Sequence, residues 1–200
     1  MPSRPIFRPA TKADAAALAV LVDIAGEGMP SYMWGTMKAP GQSPLEVGRE
    51  RARRETGGFS YRHAVIAEIG GEVAATLVGY RLDDPYDLEV SLAETPKIVR
   101  PLVRLEAKAP GSWYVNVLAT FPEFRRQGIG ARLLVIAEQK AREEDAPALS
   151  VIVASWNEAA SRLYTRAGYA ALAREPALPF PGCPHRGDWV LIVKRLGPTA

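Results

Sequence analysis

The chain carries one cysteine, Cys183, and two histidines, His63 and His185, in 200 residues. A single thiol excludes an internal disulfide framework and any multi-cysteine zinc site. Cys183 and His185 stand close together in Pro181-Gly182-Cys183-Pro184-His185, but without further ligands they make a poor metal pair, and no metal is expected. No apolar run reaches the ~18 residues that a membrane span needs. The opening MPSRPIFRPA lacks the apolar centre of a secretory signal, so a cytoplasmic protein that engages no membrane is expected. Neither sign of charge dominates: 25 Lys and Arg stand against 22 Asp and Glu, a net +3. That surplus is too mild to argue for nucleic acid as a partner. Internal repeats and low-complexity linkers are absent as well.

What is present is ordinary globular usage, with 48% apolar and 24% charged residues. A chain of this length buries a sizeable core without covalent staples. One domain over residues 1–200 is expected. Ile6-Phe7-Arg8 reads as a strand ended by Pro9, and Thr11-Lys12-Ala13-Asp14 as a capping box with Asp in place of Glu. Leu18, Leu21, Val22 and Ala25 mark one face of the helix that follows. Residues 29–42, with Met29, Tyr32, Met33 and Trp34, read as a broken stretch that could line an acceptor pocket or plug a core. Residues 44–56 read as a helix. Two strand-like runs, 63–69 and 72–82, meet at Gly70-Gly71, a hairpin signal. An excursion spans about 83–112, with a short helix near 101–107. Then come a strand at 113–119, a helix at 128–145, a strand at 149–154, a helix at 157–167 and a Pro-rich loop at about 173–187. A last strand covers 188–196. This order is a mixed α/β (α+β) domain on one sheet.

Arg125-Arg126-Gln127-Gly128-Ile129-Gly130 follows a strand and opens a helix. Two glycines let a ligand approach the backbone, and a helix start offers unpaired N–H groups and positive dipole charge. Arginines add to an anion site. The stretch is neither a P-loop nor a dinucleotide fingerprint. Taken alone, it reads equally well as a helix-capping glycine pair. One strand later, Asn157 begins a helix that carries Ala160, Leu163 and Tyr164 and ends before Gly168-Tyr169.

Three segments in order carry a resemblance. They are Arg8-Pro9-Ala10-Thr11-x-x-Asp14, the run Leu118-Ala119-Thr120-Phe121-Pro122-Glu123-Phe124-Arg125-Arg126-Gln127-Gly128-Ile129-Gly130, and Asn157-x-x-Ala160-x-x-Leu163-Tyr164-x-x-x-Gly168-Tyr169. Over nearly its whole length the chain resembles the GCN5-related N-acetyltransferase (GNAT) family. The resemblance implies a mostly antiparallel sheet flanked by helices, with central strands splayed to admit coenzyme A. It implies transfer of an acetyl group from acetyl-CoA to a primary amine of a small molecule or peptide. By position, Leu118, Ala119 and Thr120 would offer backbone groups to the pantetheine and thioester. Arg125, Arg126, Gln127, Gly128, Ile129, Gly130 and Ala131 would cradle the pyrophosphate, and Asn157 would bond the cofactor arm. Tyr164 would protonate the leaving thiolate, which suits a phenol that is neutral at pH 7.

The departure is the base. Many members carry a Glu on the strand before the Asn or on the central strand. Here those strands offer Ile152, Tyr114 and Asn116. Glu123 reads as a solvated charge, His63 as structural, and His185 as a loop residue that could reach the site. An acidic surplus in the excursion (Asp83, Asp84, Asp87, Glu89, Glu94) is a weak pointer to a cationic amine. The alternative function is a non-catalytic CoA-binding or sensor module on the same fold. By analogy, the fold allows a homodimer.

Overall fold

A computed structural model describes residues 4–197. The expected domain of residues 1–200 also includes 1–3 and 198–200, which lie outside the described residues. In chain order the elements are β1 (Ile6–Pro9), α1 (Ala15–Ala25), α2 (Met29–Met37), α3 (Pro44–Ala52), β2 (Ala64–Ile69), β3 (Glu72–Arg81), α4 (Leu88–Glu94) and α5 (Arg100–Glu106). They continue with β4 (Trp113–Thr120), α6 (Ile129–Glu143), β5 (Ala148–Ala154), α7 (Glu158–Arg166), β6 (Ala170–Pro176) and β7 (Asp188–Arg195). The strands follow the hydrogen-bonding order β1-β2-β3-β4-β5-β7-β6. Pairs β1–β2, β2–β3, β5–β7 and β6–β7 are antiparallel, and β4–β5 is parallel. This is the mixed, mostly antiparallel sheet with flanking helices that the sequence predicts. The parallel ladder pairs residues 113–115 of β4 with 149–151 of β5.

The described residues gather into two compact units, 4–79 with 116–133 and 181–183, and 80–115 with 134–180 and 184–197. In the first, the β2–β3 hairpin turns through Gly70 and Gly71 at φ 62° and 87°, the left-handed pair that a two-residue hairpin requires. Leu18, Leu21 and Val22 of α1 join Trp34, Ile66, Val78 and Val117 in the core, as the helical spacing predicts. Helix α2 is a correction, because the sequence reads there as a broken stretch. Pro30 sits in the first turn, where its missing N–H costs nothing, and Gly35 lies near the end. Burial of Met29 and Trp34 outweighs the glycine's cost of about 1 kcal/mol. Trp34 stacks on Phe59 at 5.7 Å between centroids. A Cβ on Gly48 of α3 would lie 2.5 Å from the Trp34 ring, so α3 can pack there only with glycine. Helix α3 opens on a Ser43–Glu46 capping box and stops at Ala52, short of the expected 56.

At the edge of this unit Asp14 completes the predicted capping box, accepting from the Thr11 N–H at 2.7 Å. Both its oxygens also accept from the Arg8 guanidinium, at 2.8 and 2.9 Å, while Arg8 Nε donates to Glu68 at 2.9 Å. One ionic knot therefore ties β1, β2 and the start of α1.

In the second unit β5, β7 and β6 form a continuous antiparallel ladder. Ser112 and Ser150 share a buried hydroxyl–hydroxyl bond of 2.7 Å, and Trp113 Nε1 donates to Glu144 at 3.0 Å. Strand β6 is a second correction, because the Pro-rich loop begins after Pro176 and not near 173. Its side chains are mostly exposed and lack clean alternation, so the strand leaves little pattern in the sequence. The excursion between β3 and β4 holds two helices, α4 and α5, where one was expected. Asp87, grouped above with an acidic surface, caps α4 by accepting from the Val90 N–H at 3.0 Å. Among the described residues, no helix is long and apolar enough to cross a membrane.

The ionic knot carries a pH signature. The Arg8 guanidinium, against the cost of burial and with help from Thr11, holds the Asp14 carboxyl down at about 2 from 3.8. A depressed carboxyl contributes stability that is present above its unfolded value and lost as pH falls through the folded one. Asp14→Asn is expected to cost about 2 kcal/mol at pH 7 in urea unfolding, a gap that closes between pH 4 and pH 2. A gap independent of pH would show that the carboxylate is not what stabilises this corner.

Candidate active site

Strand β4 ends at Thr120, and a 3-10 turn, Pro122–Phe124, leads toward α6. Arg125 Nε donates back to the Thr120 carbonyl at 3.1 Å, pinning the turn to the strand end. Arg126 adopts φ 61° and Gly128 φ 76°. The Arg132 N–H donates to the Gly128 carbonyl at 3.2 Å, the first helical bond of α6. The N–H groups of Ile129, Gly130 and Ala131 therefore lack intrahelical acceptors and carry the positive end of a 15-residue helix. Ile129 is buried and anchors the helix start, while residues 125–128 are exposed.

The two glycines differ in what they do. A Cβ on Gly128 would meet nothing within 4 Å, so the position needs glycine for its left-handed φ. Gly130 lies inside the first turn of α6, where glycine costs helix stability and keeps the amides bare. Bare amides, the helix dipole and two guanidiniums suit a pyrophosphate. Sequence reading passed over Arg132, whose guanidinium lies 4.8 Å over the Phe7 ring. Along β4 burial alternates, with Val117 and Ala119 in the core and Leu118 and Thr120 only half-buried. Ten of the expected cofactor residues, 118–120 and 125–131, thus fall in the first unit.

Asn157 and Tyr164 share α7 in the second unit. Asn157 Oδ1 accepts from the Ala160 N–H at 3.0 Å, which caps the helix. Tyr164 is 4% exposed, with its ring edge-on to Tyr169 at 5.5 Å. Burial pushes its phenol well above the usual range, so it stays protonated at neutral pH.

The same unit contains a group that the sequence reading missed. Glu106 ends α5, and its carboxylate accepts from the Tyr86 hydroxyl at 2.9 Å. Tyr114 packs edge-on to Tyr80 at 5.9 Å. Burial pushes Glu106 above the usual carboxylate range, and burial beside that carboxylate raises Tyr86 to about 12. No motif marks Glu106. Its only signal was a Glu next to the buried Val103 and Leu105 in a short apolar helix.

The other candidates separate. His185 stacks on Trp156 at 5.5 Å, and Trp156 packs against Trp189. His63 sits in the 3-10 turn Tyr61–His63, and Glu123 is exposed. Among the described residues, no group of three or more His, Cys, Asp or Glu could hold a metal ion.

A family model described as the acetyltransferase (GNAT) family matches residues 33–169. The chain belongs to the GNAT acetyltransferase family. Members of this family are acetyl-CoA-dependent N-acetyltransferases, and the protein is one of them. Its fold resembles that of an N-acetyltransferase from Staphylococcus aureus Mu50, with 20% identity over 94% of this chain and 99% of that one, at a TM-score of 0.63. An agmatine N-acetyltransferase mutant in its apo form is 16% identical over 96% and 99%, with a TM-score of 0.65. The NatC complex bound to Gag peptide and CoA is 17% identical over 97% and 99%, with a TM-score of 0.58. No curated protein matches the sequence.

The left-handed Arg126 sets up a trade between stability and binding. An L-residue there costs about 1–2 kcal/mol, partly offset in a Gly variant by chain entropy. Arg126→Gly is expected to stabilise the free protein by about 0.5–1 kcal/mol while weakening acetyl-CoA binding. Calorimetry with and without acetyl-CoA reads both. A variant that gains nothing in the free state would show that the turn is not strained.

Proposed function

We propose that this acetyltransferase moves the acetyl group of acetyl-CoA directly to a primary amine of a small molecule or peptide, the chain of residues 1–200 acting as one domain. The observation that carries the reading is the Arg-flanked turn at the start of α6, with bare amides and positive charge where the family binds its cofactor. Residues 125–131 hold the pyrophosphate, and Leu118, Ala119 and Thr120 offer backbone groups to the pantetheine and thioester. A backbone N–H among these three stabilises the tetrahedral oxyanion. Asn157 bonds the cofactor arm. Acetyl-CoA supplies the activated acyl group, and the protein's work is to orient it, shield it and manage protons. Tyr164, kept neutral by burial, gives its proton to the leaving thiolate. Two neighbours by fold name a small amine and a peptide in agmatine and Gag, and an acceptor panel that includes both kinds separates them.

Thiol release from acetyl-CoA, scored over that panel, tests the reading, and an enzyme inactive toward every amine would sink it. Acetyl-CoA is expected to raise Tm, as any ligand that prefers the native state does. Gly128→Glu should remove that rise, because it adds bulk and negative charge at the turn. A folded variant that keeps the full rise would place the cofactor elsewhere. Tyr164→Phe deletes the proton donor and keeps the ring. It should lower kcat by about 10²–10⁴-fold with little change in the acetyl-CoA KM. Unchanged turnover, with chemistry rate-limiting, would end the acid assignment.

A further inference from the structure

We propose that Glu27, at the corner between α1 and α2, binds a second cationic nitrogen of the acceptor and so makes the enzyme selective for diamines. The proposal rests on the amine-acceptor reading above and adds to it the class of amine.

Backbone conformation singles this residue out. Three helices end in the same pair of backbone bonds, which turns the chain through one left-handed residue. In α7 that residue is Gly168, with its N–H donating to Thr165 and the Tyr169 N–H to Tyr164. In α6 it is Asp145, a type that tolerates the conformation, with bonds to Arg142 and from Ala146 to Ala141. In α1 it is Glu27 at φ 56°, with its N–H donating to Ile24 and the Gly28 N–H to Asp23. Glycines stand on both sides, Gly26 and Gly28, yet the position that most favours glycine carries a glutamate. Among the described residues, the remaining left-handed residue that is not glycine is Arg126, in the cofactor turn. Strain that one glycine would relieve, and that the chain keeps, points to a side chain in use. The corner is also built to hold it. Asp23 accepts the Gly28 N–H on its carbonyl at 3.0 Å and the Ser31 N–H on its carboxylate at 2.7 Å, which clamps the start of α2 to α1. Met29 is buried beside it, and Glu27 is half-buried on this fixed backbone.

The fold brings this corner to the end of β4, and all the residues concerned fall in the first compact unit. Phe7 pairs with Ala67, Ala67 pairs with Ala75, and the Phe121 N–H donates to Ala74. The far end of β4 is therefore level with the start of β1. Helix α1 begins beyond the other end of β1 and returns over the sheet, with Leu18 and Leu21 in one cluster with Ile66, Val78, Val117 and Ala119. Ile24, Ala25 and Phe121 pack against that cluster. Glu27, two residues on, stands at the end of the unit that carries Leu118, Ala119 and Thr120, the residues proposed above to meet the thioester.

A carboxylate held there suits a cation. The reacting nitrogen is a poor choice, because it must lose its extra proton to attack, and a carboxylate that grips an ammonium keeps the proton on. A second nitrogen meets no such conflict. It stays charged throughout, and its spacing from the reacting nitrogen sets how the acceptor lies against the thioester. No bond to Glu27 forms or breaks. Its grip is the same before and during the transfer, so it acts on the acceptor KM and on kcat/KM.

The experiment uses the full chain and compares putrescine and cadaverine with butylamine and pentylamine, pairs that differ by one ammonium. The wild type should prefer each diamine in kcat/KM by about 10–100-fold, a preference that shrinks as salt is added. Glu27→Gln keeps the shape of the side chain and removes its charge. It should bring the diamine-to-monoamine ratio down by about 10–100-fold, through the acceptor KM. A Tm rise with acetyl-CoA verifies that the variant is folded. Glu27→Gly relieves the left-handed residue, so it should raise the Tm of the free protein by about 1–4 °C while losing the same preference. A wild type that does not favour the diamines, or a folded Glu27→Gln that keeps the wild-type ratio, overturns the proposal. If Glu27→Gln does not fold, Glu27→Gly decides, and a retained ratio there overturns it equally. A wild type equally active on monoamines and diamines defeats this proposal alone. A wild type inactive on every amine, with the acetyl-CoA Tm rise intact, defeats the acceptor reading and this proposal together.

Discussion

Burial of β4 is the constraint on which the chemistry of this protein depends. Trp113, Tyr114, Val115, Val117 and Ala119 are all nearly inaccessible, so the strand is held by apolar packing along most of its length. Where that packing ends, at Thr120, the chain is released into an exposed turn whose position is already settled. Arg125 and the buried Ile129 secure the two sides of the turn, and the amides between them need no further support. A binding surface made of backbone can be only as well placed as the strand and helix that end and begin it. Tyr114 belongs to the same buried strand and packs edge-on to Tyr80.

Much of the fold was legible because burial had one-sided periodicity. The α1 face, the Gly-Gly hairpin, the Thr11–Asp14 box and the helix after Asn157 were all written in residues whose local chemistry matched their tertiary use. Two elements were not legible, for opposite reasons. In α2 the breakers Pro30 and Gly35 sit where a helix tolerates them, and packing of Met29 and Trp34 overrode the pattern. In β6 so little is buried that the strand is held by its ladder to β7, and ladder bonds leave no trace in side-chain order.

The candidate site divides along the same line. The turn at residues 125–131 could be read because its chemistry is local, a glycine pair at a helix start. The raised carboxyl of Glu106 could not, because it owes its setting to burial and to Tyr86, 20 residues away. Distance in sequence hides a pair when neither partner carries a motif.

The missing side chain at Gly48 has a consequence for how the helices around it find their places. One helical residue turns the helix axis by about 100°. A rotation of α3 by a single residue would bring Val47 or Arg49 against the Trp34 ring, where even a methyl group would overlap it. One rotational setting passes the ring and its neighbours do not, so the indole reads α3 as a gauge reads a thread. Register between these helices is thus selected by an absence, and a polar helix with only Val47, Gly48 and Ala52 buried still docks in one way.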